Sequence, residues 1–272
     1  MKEAAHISFL IPVFNMAETL PDTLNSLFHV RKFPFEVIVI NDGSSDSIEE
    51  VIESWADRFS PIPNIEFQAL HQENRGRAAA LNEGVKVARG EYLSFVDADD
   101  VIDGYELLKI WECINSSRSD LIIGQFKIVS DSGREIAKRT LKKETSNETL
   151  IQKVAFSPVS PVHLNAILIR REFFLDLDGL DKTNLKSEDK DLLIRLLRST
   201  NSIQFCHSFH YIYRKHALSR GDLIKKRFEW FFYRQKMIRK NFSGMRKYSS
   251  MTIQAFFDLA KLFYEGLFKY RI

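Results

Sequence analysis

The sequence predicts an α/β fold, a doubly wound and mostly parallel sheet carrying a helical C-terminal extension. Three observations point there. Short apolar runs alternate with helically spaced apolar residues four times in the first hundred residues. Each run stops at a polar cluster, as strands feeding one functional rim would. The last fifty residues then turn basic and aromatic.

"ISFLIPVF" reads as a buried parallel strand ended by Asn15. Leu20, Leu24, Leu27 and Phe28 follow at helical spacing. "FEVIVI" is a second strand closed by "NDGSSD", and Ile48, Val51, Ile52, Trp55 and Phe59 form one face of a second helix. Pro61 and Pro63 break the chain before a third strand, "NIEFQAL". Asn74 to Gly76 turn into a helix bearing Ala80, Leu81, Val85 and Ala88, and "EYLSFV" is the fourth strand. Beyond Asp100 the spacing predicts a helix over Tyr105–Ile114, a hairpin of "LIIGQFKIV" and "EIAKRT" around "SDSG", then a loop, strand and helix start in "SPVSPVHLNAILIRREFF". A short helix "EDKDLLIRLL", a strand "IQFCHSFHYIYR" and a helical tail broken at "NFSG" complete the chain.

With 272 residues, 44% of them hydrophobic, the chain can bury a large core, and disorder is excluded on composition. Cys113 and Cys206 cannot make a disulfide framework; they read as packing residues of a reducing, cytoplasmic protein. The apolar run from Ile7 to Phe14 is too short for a secretory leader or a membrane span. Residues 223–272 hold 12 Lys and Arg against three acids, whereas the first 222 residues carry a mild excess of acids. We expect a body of residues 1–222, divided near residue 100, and an extension of residues 223–272.

Asp97, Asp99 and Asp100 crowd one strand end. An acidic helix start would account for Asp99 or Asp100 alone. Three acids there predict a hard divalent cation, Mg²⁺ or Mn²⁺, with positions left for substrate phosphates. "ENRGRAAALNEG" supplies the opposite sign: Gly76 permits close backbone approach, and Arg75 and Arg77 sit where a helix begins. A solvated basic turn is the plainer reading; beside the acids, a diphosphate site is the better one. Asp42 fits an ordinary turn, or a strand-end acceptor for a base N–H.

"IPVFNMAETLPDTLNSL", "VIVINDGSSD", "NRGRAAALNEGVKVARGEYLSFVDADD" and "SEDKDLLIRL" occur in this order and spacing. Together they closely resemble the family-two inverting glycosyltransferases of the GT-A (nucleotide-diphospho-sugar transferase) fold, over roughly residues 5–215. The resemblance implies a mixed, mostly parallel sheet and a nucleotide-sugar donor, chiefly a UDP-sugar. It places residues 1–100 as the nucleotide-binding half and residues 101–222 as the acceptor side.

By that match Pro12 and Asn15 line the nucleotide pocket, Glu18 lies near the ribose or base, Asp42 holds the uracil and Asp97 contacts the ribose. Asn74 and Ala98 join the donor-binding set, and Asp99 binds the metal that bridges the diphosphate. Many members carry Ala-Arg-Asn where this chain has Ala80, Leu81 and Asn82; a second pattern, Gly-Lys-x-x-Ala-Leu-Asn, puts Arg77 in the lysine's place as the basic contact. The "SED" motif makes Asp189 the general base, with Glu188 shaping the acceptor site. Locally, Glu188, Asp189 and Asp191 are also what the acidic first turn of a helix would look like. "YRKHALS" offers His216 as a second metal ligand. His163, His207 and His210 have no comparable support, and Trp55, Trp111 and Trp230 are expected to pack.

The implied activity is transfer of a hexosyl or N-acetylhexosaminyl group to a hydroxyl of a surface glycan or lipid-linked acceptor. The extension suits either the inner face of an anionic membrane or packing against the body or a second subunit, the latter weighed slightly higher. Nucleic acid is not an expected partner, since bases alone are a weak signature. Two rivals are a nucleotidyltransferase, which would need a Gly-rich phosphate loop that "PVFNMAETL" lacks, and a non-catalytic nucleotide-sugar-binding scaffold, which need not keep the "SED" acids. No Gly-x-Gly-x-x-Gly follows the first strand, against a dehydrogenase.

Overall fold

A computed structural model describes residues 7–141, 146–157, 160–183, 187–216 and 232–242. Strands β1 (Ile7–Val13), β2 (Phe35–Asn41), β3 (Ile65–His71) and β4 (Tyr92–Phe95) alternate with helices α1 (Leu20–Phe28), α2 (Ile48–Phe59) and α3 (Arg77–Val87). The expected first half is therefore present element by element. It continues through β5 (Val101–Ile102), α4 (Gly104–Ser117), β6 (Leu121–Ile123), β7 (Phe126–Ser130) and β8 (Glu135–Arg139). Then come α5 (Asn147–Phe156), a 3₁₀ turn (Leu164–Ala166), β9 (Ile167–Arg170), α6 (Arg171–Leu175), α7 (Glu188–Ser199), β10 (Ile203–Phe205) and β11 (Tyr211–Lys215). A last helix, α8, covers residues 232–241.

Seven strands form one sheet in the order β10-β6-β9-β4-β1-β2-β3. β1 pairs in parallel with both β2 and β4, and β2 with β3, in registers that place Val13 beside Asn41 and Asn41 beside His71. Their carboxyl ends thus align along one rim. β9 runs antiparallel between β4 and β6. An antiparallel member among parallel strands brings its start, not its end, to that rim, so the residues just before Ile167 stand beside the end of β4.

The strands are apolar on both faces, as helices on both sides require. Phe9, Ile11, Val37 and Val39 face the core covered by α1, α2 and α4, and Leu10, Ile38 and Ile40 face the core covered by α3, α5 and α7. Gly84 lets α3 lie close on the sheet: a Cβ there would come within 2.8 Å of Leu10 and 2.9 Å of Ile40.

Three expectations need correction. "LIIGQFKIV" is not one strand, since β6 belongs to the large sheet and β7 to a second sheet ordered β5-β11-β7-β8. "IQFCHSFHYIYR" divides in the same way into β10 and β11. A run of extended, apolar residues does not reveal where it changes sheets. The helix α5 was not among the expected elements; Ser146 caps it by accepting from the Thr149 amide, and Leu150, Ile151, Val154 and Ala155 are its buried stripe.

Of the basic extension, residues 232–242 dock on the body. Met237 and Ile238 are fully buried, Phe242 packs 4.9 Å from Phe156, and the Arg198 guanidinium lies 4.8 Å over the Phe242 ring. Arg234 donates to the carbonyls of Ala155 and Ser157. This agrees with packing against the body for that stretch. Residues 223–231, with Trp230, and residues 243–272 lie outside the described residues.

Candidate active site

The loop after β1 and the loop after β2 are stitched together. Asn15, at a left-handed φ of 54°, accepts at Oδ1 from the Ser45 amide at 2.8 Å and donates its own amide to Ser44 Oγ at 3.0 Å. Ala17 N–H donates to Asp46 Oδ2 at 2.8 Å. Pro12 lies within β1 opposite Ile40, and Glu18 is exposed in the turn that follows.

Asp42, only 3% exposed, organises the next loop. Its Oδ1 accepts from Gln72 Nε2 at 2.6 Å and from the Arg75 amide at 2.9 Å, and its Oδ2 from the Gly76 amide at 2.8 Å. Gly76 takes φ 85°, a conformation only glycine holds cheaply, and this turn starts α3. A carboxylate has about four acceptor positions, so Asp42 keeps about one for a ligand. Asn74 is exposed beside it.

The acids after β4 diverge rather than converge on one ion. Asp97 Oδ1 receives Arg77 Nε at 2.9 Å and Arg77 Nη2 at 2.8 Å. Burial pushes the Asp97 carboxyl up, but Arg77 outweighs it and holds the group below the usual carboxylate range. Arg77 is held above its ordinary value by Asp97 and Glu188 in spite of burial. Asp100 is fully buried, accepting from the Tyr211 hydroxyl and from the Arg214 amide at 2.7 Å. Burial, then the neighbouring Asp97 charge, push its carboxyl up to about 8. Ala98 is buried between them.

Asp99 is the acid left over. Its Oδ2 lies 3.2 Å from His216 Nε2, whose Nδ1 lies 2.6 Å from Asp131 Oδ1. Burial and the charge of Asp97 raise the Asp99 carboxyl, with His216 opposing. The structure therefore brings together the two expected metal ligands. Among the described residues no three His, Cys, Asp or Glu side chains form a metal cluster. One carboxylate and one imidazole fit a divalent ion that draws its other ligands from phosphate oxygens and water.

From across the rim comes the first turn of α7. Glu188 Oε1 lies 3.9 Å from Arg77 Nη1. Burial, then the adjacent Asp189, push the Glu188 carboxyl up to about 7, with Arg77 opposing. Asp189 is half-buried, and its Oδ1 accepts from the Lys190 amide at 2.8 Å. Asp191, in contrast, points into the body. It is fully buried, with Oδ2 taking Arg195 Nε at 2.9 Å and Lys240 Nζ at 3.1 Å, and Oδ1 taking Asn241 Nδ2 at 2.8 Å. The acidic turn thus has two faces: Glu188 toward Arg77, Asp191 toward α8.

Two more residues stand at the rim: Asn165, which the sequence reading missed, and His163, which it named without support for a role. Asn165, fully buried, accepts from Arg77 Nη2 at 3.1 Å and donates to the Tyr211 hydroxyl oxygen at 2.7 Å. His163 stacks on Tyr211 with ring centres 5.3 Å apart, and burial lowers its affinity for a proton. No local motif marks either one; they reach the site because β9 runs backwards.

The glycosyl transferase family 2 model matches residues 8–177, more than half the chain. The chain belongs to that family. The chain is 28% identical to the uncharacterized glycosyltransferase EpsJ of Bacillus subtilis over 227 residues, 81% of this chain but 64% of that one. It is 45% identical over 98 residues to the poly-beta-1,6-N-acetyl-D-glucosamine synthase of Staphylococcus epidermidis, 36% of this chain and 22% of the relative. The chain thus spans less than two thirds of these relatives' length. S. aureus TarS 1-349 in complex with UDP-GlcNAc aligns with a TM-score of 0.64 at 20% identity, covering 96% of this chain and 73% of TarS. That likeness confirms the GT-A fold of the chain. Among the described residues no helix is long and apolar enough to cross a membrane.

Proposed function

We propose that this glycosyltransferase moves a sugar, with inversion, from a UDP-sugar to a hydroxyl of a cell-envelope glycan or its lipid-linked precursor. The observation that carries the reading is Arg77: anchored on Asp97 at the end of β4, it also faces Glu188 at the start of α7. Donor-side and acceptor-side acids therefore share one cation. Solved TarS holds UDP-GlcNAc, and the staphylococcal relative is named for an N-acetylglucosamine polymer; both support a UDP-linked hexosamine as donor.

Pro12, Asn15, Glu18, Asp42 and Asn74 border the nucleotide, and Asp97 and Ala98 the ribose. Asp189 takes the acceptor hydroxyl's proton as that oxygen attacks the anomeric carbon; the bond to the diphosphate breaks, and the nucleotide leaves with both electrons. Arg77 offsets the charge growing on the departing oxygen. Asp99 and His216 would hold Mg²⁺ or Mn²⁺, which supplies further positive charge to the diphosphate. The catalytic body spans residues 1–222, and residues 223–272 serve docking, with membrane contact or self-association as a further role.

The test is a panel of nucleotide sugars, with and without Mn²⁺, read by melting temperature and by release of nucleotide. A UDP-sugar that stabilises the protein and is turned over supports the reading. Stabilisation by none, or only by nucleotides without a sugar, removes it.

A further inference from the structure

The structure assigns to Asn165 a positioning role: it fixes the Arg77 guanidinium so that one end alone is presented to the donor's diphosphate. The inference rests on the donor reading above and adds a residue to it.

Arg77 can only donate. Its Nε and Nη2 both point at Asp97 Oδ1, and Nη2 has a second N–H, which goes to Asn165 Oδ1 at 3.1 Å. That edge of the guanidinium is then fully used. Among the described residues Nη1 makes only the 3.9 Å approach to Glu188, too long for a hydrogen bond, so its two N–H groups remain for an anion.

Asn165 is the residue type that this position requires. Its amide oxygen must face Arg77, which leaves its NH₂ facing Tyr211, whose oxygen accepts at 2.7 Å. The Tyr211 hydroxyl then donates a hydrogen bond to Asp100. The chain of hydrogen bonds runs one way, from Asn165 through Tyr211 to Asp100, and the Arg214 amide closes it at 2.7 Å on the other Asp100 oxygen. Aspartate at residue 165 would lose the donor toward Tyr211; leucine would leave both Arg77 and Tyr211 short of a partner in a fully buried place. The main chain also holds Asn165, its amide donating to His163 Nδ1 at 3.3 Å at the start of the 3₁₀ turn before β9. Without Asn165 the guanidinium can swing about Asp97, and Nη1 no longer has one direction.

Calorimetric titration with UDP in the presence of Mn²⁺ tests this on wild type, Arg77→Ala, Asn165→Leu and the double variant, with melting temperatures as the check on folding. Wild type should bind UDP. Each single variant should weaken it about tenfold, the size of one lost charge-assisted hydrogen bond, and the double variant should bind no worse than Arg77→Ala. A residue that merely supported the fold would weaken binding by an independent factor, and the losses would multiply. Should Asn165→Leu not fold, Asn165→Ser repeats the cycle. UDP affinity unchanged in the Asn165 variant, or losses that multiply, overturns the inference and leaves the donor reading standing. Unchanged affinity in Arg77→Ala also overturns it. Wild type that binds no UDP overturns both.

Discussion

Arg77 Nη1 and Glu188 Oε1 face each other across 3.9 Å, although the residues are carried by different helices, α3 and α7, far apart in the sequence. That approach joins the start of α3 to the first turn of α7. It sets the acidic first turn of α7 at the same rim as Asp97 and Arg77.

Asp189→Asn keeps size and shape but cannot take a proton. Transfer should fall by about 10²-fold or more, the usual contribution of a general base, while UDP binding stays within about threefold. Steady-state turnover beside calorimetric UDP binding measures both. Full turnover in the variant removes Asp189 from the role.

Asp99→Ala should abolish the part of UDP affinity that depends on Mn²⁺. In wild type, adding a chelator should lower the UDP-induced rise in melting temperature; in the variant the chelator should change nothing. An undiminished chelator effect in Asp99→Ala would place the ion elsewhere.

Glu188 gives a pH signature. Its folded-state value, about 7, lies above its ordinary value of 4.5. The folded state therefore binds the proton more tightly than the unfolded chain. The stability this confers is complete below the ordinary value and is lost as pH rises through the folded one. Glu188→Gln should flatten melting temperature against pH across that window, and at pH near 8 should melt at least about 2 °C above wild type. Parallel curves for the two proteins would mean that Glu188 is not held in its neutral form.

Asp42→Asn should replace one acceptor oxygen by an NH₂ that faces a main-chain N–H. The loop of residues 72–76 should then lose its order, seen as faster amide exchange at Arg75 and Gly76, and UDP affinity should drop about tenfold or more. Unchanged exchange there would show that Gln72 alone is enough to hold the loop.

Asp191→Ala leaves Arg195, Lys240 and Asn241 without their shared acceptor, and should cost about 2–4 kcal/mol in denaturant unfolding. Lys240→Ala, removing a half-exposed partner, should cost under about 1 kcal/mol. Equal costs would mean the carboxylate is not the hub.

The first hundred residues were legible because their contacts are rhythmic. Each strand is a continuous apolar run, each helix shows a stripe, and parallel pairing follows from their alternation. Past Asp120 the strands are short and pair with distant partners: β6 with β9 and β10, β7 with β11. No local pattern records such choices, so Gly124 and Phe209 gave no sign that the chain was changing sheets. The site divides along the same line. Asp42, Arg77, Asp97, Asp99, Glu188 and Asp189 stand in quotable motifs. The way the strand-end acids split up did not: Asp97 went to Arg77, Asp100 to Tyr211, and Asp99 to His216. Those pairings depend on residues 20 to 117 positions away in the chain, and on a strand that runs against its neighbours.

The contacts of Asp191 change what can be cut from this protein. A fragment ending before α8 would lose Lys240 and Asn241 from a carboxylate with no access to water, and would bare the surface that Met237 and Ile238 cover. Anyone trimming the molecule for crystals, or exchanging its tail with a relative's, would be removing a foundation stone and not an ornament.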